Sequence, residues 1–216
     1  AIGALEQLKY LLIAGPCNSV DVSGFNALHE LRIVGWNSHV IGIEKCKRLE
    51  VLYVNQFSPK KEGISVLAPA SGLKELEIVQ SSLTDLNGLE RFGKLSSLTL
   101  RYFKKLQDIS QLECLRESLW KLILDRSKRI EDFAPVGTLN GLRNLSITGC
   151  GAIESIDFVS SLKNLETIGL MSGTTVLDGD LSLLLKLPVL RFAGIDNKKH
   201  YSHSSLELKK FLENRA

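Results

Sequence analysis

The sequence predicts an α/β solenoid, a fold in which one short strand and one return turn repeat along a single axis. The main observation is an apolar phrase that recurs along nearly the whole chain in steps of 20 to 25 residues. The second is a composition of 44% hydrophobic and 24% charged residues over 216 positions, which suits a globular core and excludes disorder and collagen-like structure. Aromatic residues are scarce at 6%, so leucine has to supply most of that core.

The repeated phrase predicts the strands. It contains a Leu, two variable residues, a Leu or Ile, one variable residue and a further apolar residue. The last two apolar residues alternate with variable ones, which is the period of a strand with one buried face. The phrase occurs nine times, the last time in a degraded form, and its first leucines are Leu8, Leu28, Leu49, Leu73, Leu95, Leu119, Leu142, Leu165 and Leu190.

The second half of each repeat predicts the turns. It carries apolar residues three positions apart, as in Leu83, Leu86 and Leu89, and this spacing suits a 3₁₀ or short helical turn. One unit cannot cover its own apolar face, so neighbouring units must stack into a continuous core. We therefore expect a curved solenoid with a parallel sheet on its concave face and the turns on its convex face.

Two segments, LKELEIVQSSLTDLNGLERFGKL and LRNLSITGCGAIESIDFVSSLKNL, resemble leucine-rich repeats of about 22 residues. They are similar to the repeats of bacterial internalins and of the SDS22-like subfamily, and the similarity extends from Leu8 to about Ile195. The resemblance implies a right-handed horseshoe from a bacterial source. It also implies a single domain over residues 1–216, with about nine repeats over 8–198.

The family usually has Asn three residues after the last apolar residue of each strand, where it forms a hydrogen-bonded ladder. This chain departs from that pattern. Ser and Cys can replace part of the ladder but Trp and Phe cannot, so we expect less regular N-terminal repeats. We expect Cys150 to be a buried thiol that hydrogen-bonds to the backbone. The residues at the ladder position are Pro16, Trp36, Phe57, Ser81, Phe103, Ser127, Cys150, Gly173 and Lys198.

The end of the chain predicts a cover for the last repeat. Ser204 and Glu207 have the spacing of a capping box, which marks a helix N-terminus. Leu208, Phe211 and Leu212 follow at positions that share one helical face. We expect a capping helix over about 205–214, because an open terminal repeat would expose the core. A helix that binds a partner is the alternative.

The four cysteines, Cys17, Cys46, Cys114 and Cys150, form no CxxC pair, which predicts reduced thiols in a reducing compartment. The N-terminus shows no charged segment followed by an apolar one, so we expect no signal peptide. The uncharged stretch 167–177 is far shorter than a membrane span, so we expect no membrane partner. The expected location is the cytoplasm.

Few residues are candidates for chemistry. His200 and His203 form an HxxH pair near Asp196 and Glu207, and histidines three residues apart on a helix can share a metal ion. A solvated junction before the capping helix is the favoured interpretation. A metal-binding protein or an enzyme built on the two histidines is the alternative. We predict no cofactor, no metal and no enzymatic activity.

The variable residues of the strands face outward and form three columns across the concave face. Residue types that dominate protein interfaces concentrate near the middle of these columns, where Tyr and Arg lie among charged neighbours. A mixed solvated surface without a dedicated ligand is the alternative interpretation. The candidate partner-binding residues are Tyr53, Glu75, Glu77, Arg101, Tyr102, Lys121, Asp125 and Arg126.

A second candidate surface is a basic ridge at two consecutive strand exits. Alignment of the two repeats places Lys104 beside Lys128 and Lys105 beside Arg129. Nucleic-acid binding needs a longer stripe with interleaved aromatic residues, so we expect no nucleic acid as a partner. The ridge favours an acidic patch on a protein, or serves solubility alone.

These features together predict a monomeric, non-catalytic module that binds another protein through the concave sheet and the C-terminal strand-exit loops. A repeat scaffold is ordered before binding, so association costs little conformational entropy. One specific hypothesis is a bacterial immunity protein that neutralises a toxin, although the net charge of +3 argues against acidic mimicry of DNA. The alternative within this class is a recognition fragment of a larger effector or surface protein.

Overall fold

Nine strands lie side by side in one parallel sheet in the computed structural model, which describes residues 7–15, 19–36, 40–59, 63–69 and 72–215. Each of the nine begins two residues after the first leucine of a repeat. In chain order the strands of the described residues are β1 (Tyr10–Ala14), β2 (Val20–Asp21), β3 (Glu30–Val34), β4 (Val40–Ile41), β5 (Val51–Asn55), β6 (Glu75–Ser81), β7 (Ser97–Phe103), β8 (Lys121–Asp125), β9 (Asn144–Thr148), β10 (Ala152–Ile153), β11 (Thr167–Met171), β12 (Thr175–Val176) and β13 (Phe192–Ile195).

The order of strands across the large sheet is β1-β3-β5-β6-β7-β8-β9-β11-β13, so it follows the order along the chain. Each repeat therefore pairs only with its neighbours, as expected of a solenoid. The four remaining strands form two small parallel sheets where the chain leaves the large one. β2 pairs with β4, and β10 pairs with β12.

The register of the large sheet matches the columns predicted from the repeat. Leu98 on β7 pairs with Leu76 on β6 and with Leu122 on β8, and Leu145 continues the row on β9. All four side chains are buried. Leu11 of β1 is only half-buried, because its strand has a neighbour on one side alone.

The return segments are mainly 3₁₀ turns, as the three-residue spacing predicted. Their inward residues, such as Leu86, Leu89 and Leu112, belong to the same buried core as the strand leucines. The last repeat has a short α-helix instead, α1 (Ser182–Lys186). The fold is thus the predicted solenoid horseshoe. Its described 3₁₀ turns are Ile43–Lys45, Gly63–Leu67, Leu89–Phe92, Ser110–Leu115, Ala134–Thr138 and Asp157–Ser161.

Aromatic rings replace the hydrogen-bonded ladder in the N-terminal repeats. Phe57 and Phe103 are fully buried, and Trp36 meets the Phe57 ring edge-on with the centroids 5.1 Å apart. The described strands β1, β3 and β5 pair in the same register as the later ones, so the prediction of less regular N-terminal repeats remains a prediction for the return segments. The rings fill the position by packing, so the strands do not need the ladder. Pro16 lies outside the described residues.

In the C-terminal repeats polar side chains do occupy this position. Cys150 is buried, and its Sγ donates to the Leu124 carbonyl oxygen at 3.4 Å, which confirms the structural role predicted for the thiol. In the next repeat the buried side chain is Thr174 rather than the predicted Gly173. Gly173 takes a φ of 94°, and the Thr174 Oγ1 accepts a hydrogen bond from the Cys150 N–H at 3.1 Å. The buried polar position has shifted by one residue at a turn where Ser172 and Gly173 both have positive φ angles.

The predicted capping helix is present as α2 (Ser205–Glu213), which packs against β13. Both hydrogen bonds of the capping box between Ser204 and Glu207 form. The backbone N–H of Ser204 also lowers the pKa of the Glu207 carboxyl. Leu208 and Leu212 are buried, but Phe211 was wrongly placed on the buried face. It is 44% exposed, and the Arg215 guanidinium lies 5.8 Å from its ring centroid.

The helices of the described residues are short. None of those described is long and apolar enough to cross a membrane.

Candidate functional site

The eight candidate partner-binding residues lie on or directly after four consecutive strands, β5 to β8. The register places Tyr53 opposite Glu77, and Glu75 two positions before it on the same strand. Lys121 and Asp125 occupy the two ends of β8. Adjacent strands are about 4.8 Å apart, so this surface spans about 14 Å across the sheet. We refer to the six residues on the outward columns, Tyr53, Glu75, Glu77, Arg101, Lys121 and Asp125, as the concave patch.

Arg101 is the centre of the concave patch. Its Nε lies 3.0 Å from Oε1 of Glu77 on the preceding strand, and its Nη1 lies 3.4 Å from Oδ2 of Asp125 on the following strand. The Arg101 side chain is 38% exposed. Two carboxylates therefore hold the guanidinium in one orientation while water still reaches it.

Tyr53 is positioned by two neighbours that the sequence analysis did not single out. The guanidinium carbon of Arg32 lies 5.5 Å from the Tyr53 ring centroid, within the range of a cation–π contact. The Asn55 amide donates to the Tyr53 hydroxyl at 3.5 Å. Arg32 also pairs with Glu30 at 2.7 Å. Arg32 and Asn55 both stand in the outward columns that the repeat predicts, but the alignment of the repeats does not show which side chains contact one another.

At the centre of the sheet face, two outward residues of β7 have small side chains. Ser97 and Thr99 are buried although they point outward. Ser97 pairs with Glu75 on one side and Lys121 on the other. Longer side chains on β6 and β8 thus flank and cover the small residues of β7.

Tyr102 and Arg126 do not lie on the concave columns, which corrects their predicted place. Alternation along a strand would point both side chains into the core. Instead the backbone takes positive φ angles of 59° and 52° at these two residues, which turns the side chains to the strand-exit edge. The Arg126 guanidinium lies 5.0 Å from the Tyr102 ring centroid and donates to the Tyr102 hydroxyl.

The basic ridge forms next to this pair. Lys104, Lys105, Lys128 and Arg129 are all exposed. β7 and β8 pair Arg101 with Asp125, and the same offset places the two pairs of basic residues in neighbouring loops. The predicted alignment of the ridge therefore follows from the strand register.

The four side chains of the hypothetical metal site form hydrogen bonds with four different groups. His200 Nε2 lies 2.9 Å from the Val176 carbonyl oxygen, and His203 Nδ1 lies 2.9 Å from the Ser202 hydroxyl. The Asp196 carboxylate accepts from the Gly173 N–H, and Glu207 is the capping residue of α2. Among the described residues there is no group of three or more His, Cys, Asp or Glu side chains that could hold a metal ion. The metal and enzyme alternative therefore gains no support.

The cysteines offer no activated nucleophile in the described part of the chain. Burial raises the pKa of the Cys46 and Cys150 thiols to about 11. Burial also raises the pKa of Cys114, although this side chain is exposed. All three carry reduced thiols, as predicted. Cys17 lies outside the described residues.

Two further surface features were missed in the sequence. Trp120, directly before β8, is 40% exposed and lines a hollow of about 480 Å³ with Arg143 and Glu166. Met171 and Phe192 form an exposed apolar pair at the C-terminal end of the concave face. The alignment of the repeats places Met171 and Phe192 on the outward columns, but only the structure shows how far these side chains and Trp120 are exposed.

Comparison with known proteins shows the fold. No family model matches the chain, and no curated protein is similar to it. A leucine-rich repeat protein of Leptospira interrogans is similar in structure, with a TM-score of 0.66 and 18% identity over 97% of this chain and 57% of that one. Internalin C2 of Listeria monocytogenes has a TM-score of 0.55 and 18% identity over 94% of this chain and 80% of that one.

The functional domain of InlJ from Listeria monocytogenes, which includes a cysteine ladder, has a TM-score of 0.59. It shares 17% identity over 97% of this chain and 49% of its own length. This chain thus spans little more than half of the Leptospira chain and half of the InlJ domain. The chain has the leucine-rich repeat fold of these bacterial proteins, as the repeat predicted.

Proposed function

We propose that this leucine-rich repeat chain is a non-catalytic protein-interaction module that holds a protein partner on its concave patch. The observation that carries the proposal is the position of Arg101 between Glu77 and Asp125. A side chain that is already held by its neighbours loses little rotamer freedom on binding. Arg is also among the residue types that contribute most to interface energies.

The charges of the concave patch describe the kind of partner it suits. Glu75 and Glu77 on β6 face Arg101 and Lys121 on the next two strands, so acidic and basic groups alternate across the sheet. Alternating charges select a partner by complementary signs and disfavour surfaces of a single sign. The aromatic ring of Tyr53 adds apolar contact area at one side of the patch.

The finer hypotheses differ in the identity of this partner. For an immunity protein the partner is a toxin whose active surface the horseshoe covers. For a recognition segment of a larger protein the partner is a target molecule, and the partial coverage of the Leptospira and InlJ chains is compatible with this. Both use the concave patch in the same way, so a test of the patch comes first. A cytoplasmic location is part of the immunity proposal.

The test is partner capture from a lysate of the source organism, with the immobilised chain and three variants. Tyr53→Ala and Lys121→Glu alter the concave patch without removing a buried apolar side chain. Lys163→Glu makes the same charge change at an exposed turn on the convex side. We expect one protein to be retained by the native chain and by Lys163→Glu, and to be lost from both patch variants. Retention by all four baits would contradict the proposal.

A second measurement separates the finer hypotheses. The gene of the captured protein is expressed in a host with and without this chain. Growth that is restored by the native chain, but not by Tyr53→Ala, supports toxin neutralisation. A partner that is harmless to the host supports the recognition-segment hypothesis.

A further inference from the structure

A hollow of about 380 Å³ lies at the strand-exit edge, beside the concave patch. It extends over three repeats, from Gln56 after β5 through Gln80 on β6 to Tyr102 on β7. Lys104 and Lys105 line it on the outer side. The hollow thus includes Lys104 and Lys105 of the basic ridge, and no residue of the concave patch lines it.

The backbone around the hollow has an unusual conformation. Gln56, Gln80, Tyr102 and Arg126 have φ angles of 58°, 57°, 59° and 52°. This is the left-handed region, where a side chain other than glycine costs conformational free energy. Hydrogen bonds between repeats hold this conformation. The Gln56 N–H donates to the Val79 carbonyl oxygen of the next repeat at 2.8 Å, and the Arg126 N–H donates to the Thr148 carbonyl oxygen in the same way.

Three other described repeats place glycine at this position, and the repeat of β11 places Ser172 there with a φ of 56°. Gly15, Gly35 and Gly149 have φ angles of 84°, 80° and 65°. Side chains are kept in the left-handed region over four consecutive repeats, Gln56 to Arg126, and these are the repeats that border the hollow and the ridge. Strained backbone of this kind concentrates at binding sites, where the side chain offsets its cost by a function.

The groups around the hollow are hydrogen-bond donors and cations. Gln56 and Gln80 are exposed and carry amide groups that can donate. The Ser58 and Ser82 hydroxyls lie 2.9 Å apart at the same edge. Phe57 forms part of the buried floor. Such a lining is suited to an anionic ligand that also accepts hydrogen bonds along its length.

The basic ridge makes the region electrostatically positive. Lys104, Lys105 and Arg129 are exposed, and none of them forms an ion pair with another described residue. Two acidic side chains that follow in the chain accept hydrogen bonds within their own turns. Asp108 accepts from the backbone N–H of Ser110 at 2.8 Å, and Asp132 does the same within its own turn.

We propose that the hollow binds an extended acidic segment of a protein partner. Carboxylates of the segment lie on Lys104 and Lys105, and its backbone carbonyls accept hydrogen bonds from the Gln56 and Gln80 amides. The three repeats are separated by two spacings of about 4.8 Å and so cover about 10 Å, which matches about three residues of extended chain at about 3.3 Å per residue. The ridge at Lys128 and Arg129 extends the path by one more repeat.

The geometry disfavours nucleic acid as the occupant. Single-stranded nucleic acids bind by stacking their bases on exposed aromatic rings. Of the described residues that line the hollow, Tyr102 is the aromatic residue with a hydroxyl group. The Arg126 guanidinium carbon lies 5.0 Å from the centroid of the Tyr102 ring. A base would have to displace this guanidinium, whereas a peptide carboxylate would not.

This inference deepens the proposed function, because the occupant is part of a protein partner, but it concerns a separate surface. The test is fluorescence anisotropy of the full chain with a labelled peptide of alternating Glu and Gly. We expect binding that Lys104→Glu together with Lys105→Glu weakens by about tenfold or more. The control pair, Lys163→Glu with Lys186→Glu, makes the same charge change at exposed positions away from the hollow and should bind as the native chain does.

A second set of variants tests the left-handed residues themselves. Gln80→Gly relieves the backbone, so we expect a higher melting temperature and a weaker affinity for the acidic peptide. Ser172→Gly makes the same change at a φ of 56° outside the hollow, so we expect a higher melting temperature with unchanged affinity. Unchanged peptide affinity of Gln80→Gly would overturn the proposal.

Two further outcomes are decisive. Equal binding of a peptide with Gln in place of Glu, or binding of an oligothymidylate without binding of the acidic peptide, would show that the hollow is not a carboxylate site. Tyr53→Ala should leave peptide affinity unchanged, because Tyr53 does not line the hollow. Suppose that Tyr53→Ala loses partner capture and that the native chain does not bind the acidic peptide. The proposal for the hollow is then wrong, and the proposal for the concave patch still holds.

Discussion

Arg101 on β7 and Glu77 on β6 form an ion pair of 3.0 Å across neighbouring strands, although the register pairs Arg101 with Val79 instead. The pair is therefore diagonal, within the reach that long side chains have on one face of a sheet. It shows that the charged groups of the concave patch are arranged against one another. A partner would meet an ordered charge pattern rather than a set of free side chains.

The ion pair should be measurable but weak. Both side chains are 38% exposed, so water screens their attraction. A double-mutant cycle with Glu77→Gln and Arg101→Met should give a coupling free energy of about 0.5 kcal/mol at low salt, falling as salt is added. Urea denaturation provides the measurement. The more exposed pair Lys209–Glu213 on α2, at 3.7 Å, serves as the control and should couple less. A concave pair without any coupling at low salt would mean that the charges are not ordered in solution.

The stacked leucines should dominate stability. Leu145 is buried in the row that runs through β6 to β9, so Leu145→Ala should lower the free energy of unfolding by about 2–5 kcal/mol through lost burial and the cavity left behind. Leu206 on α2 is one of the most exposed large apolar residues, and Leu206→Ala should change it by less than about 0.5 kcal/mol. Chemical denaturation of the two variants measures both changes in the free energy of unfolding. Similar losses at the two sites would argue against a continuous stacked core.

Two glycines should respond oppositely to the same substitution. Gly151 has a φ of 88° and Gly93 a φ of −57°, and a Cβ at either would meet no atom within 4 Å. Gly151→Ala should destabilise the fold by about 1–2 kcal/mol, because the side chain forces the left-handed region. Gly93→Ala should stabilise it by about 0.4–1 kcal/mol by restricting the unfolded chain. Thermal unfolding of the two variants checks the sign. A shift of both in one direction would contradict the backbone angles.

Cysteine reactivity should follow burial. Burial raises the pKa of Cys150 from 9.0 to about 11, so only about one thiol in a thousand is ionised at pH 8. Exposed Cys114 should react first with a disulfide reagent, and Cys46 and Cys150 should react only on unfolding. Mass spectrometry of the labelled chain identifies the modified residues. Fast labelling of Cys150 in the folded protein would show that the ladder position is open to solvent.

The same shift predicts a stability change at high pH. The folded chain holds the Cys150 proton more tightly than the unfolded chain does, so the stabilisation is complete below pH 9 and is lost as the pH rises toward 11. Cys150→Ala should show a shallower decline over this window than the native protein. Equal slopes would place the cause in other groups.

The strands and their register were predictable because the repeat has a regular length and an alternating burial pattern. The column from Tyr10 to Phe192 could be written from the sequence and is the one that the strands form. The capping box at Ser204 was equally visible, since its two hydrogen bonds are local. The predictions of the strand register and of the capping box were therefore correct.

The errors arose where several repeats meet. Phe211 was placed on the buried face by its spacing, but the contact between α2 and β13 buries Leu208 and Leu212 instead. Tyr102 was placed on the concave face. Hydrogen bonds between repeats instead turn the backbone at the end of the strand, so that its side chain lies at the strand-exit edge. Neither effect has a local sequence signal.

The sequence by itself determined the nine strands of the large sheet, their parallel order and the rows of leucine that stack behind them, because periodic burial requires no more than the spacing of apolar residues. The tertiary structure alone decided which polar side chains meet. Arg101 reaches Glu77, Tyr53 lies under Arg32, and the left-handed residues line a hollow because the distance between strands and the turn of the backbone at each exit set those contacts. Such distances depend on the packing of neighbouring repeats, which no single repeat encodes.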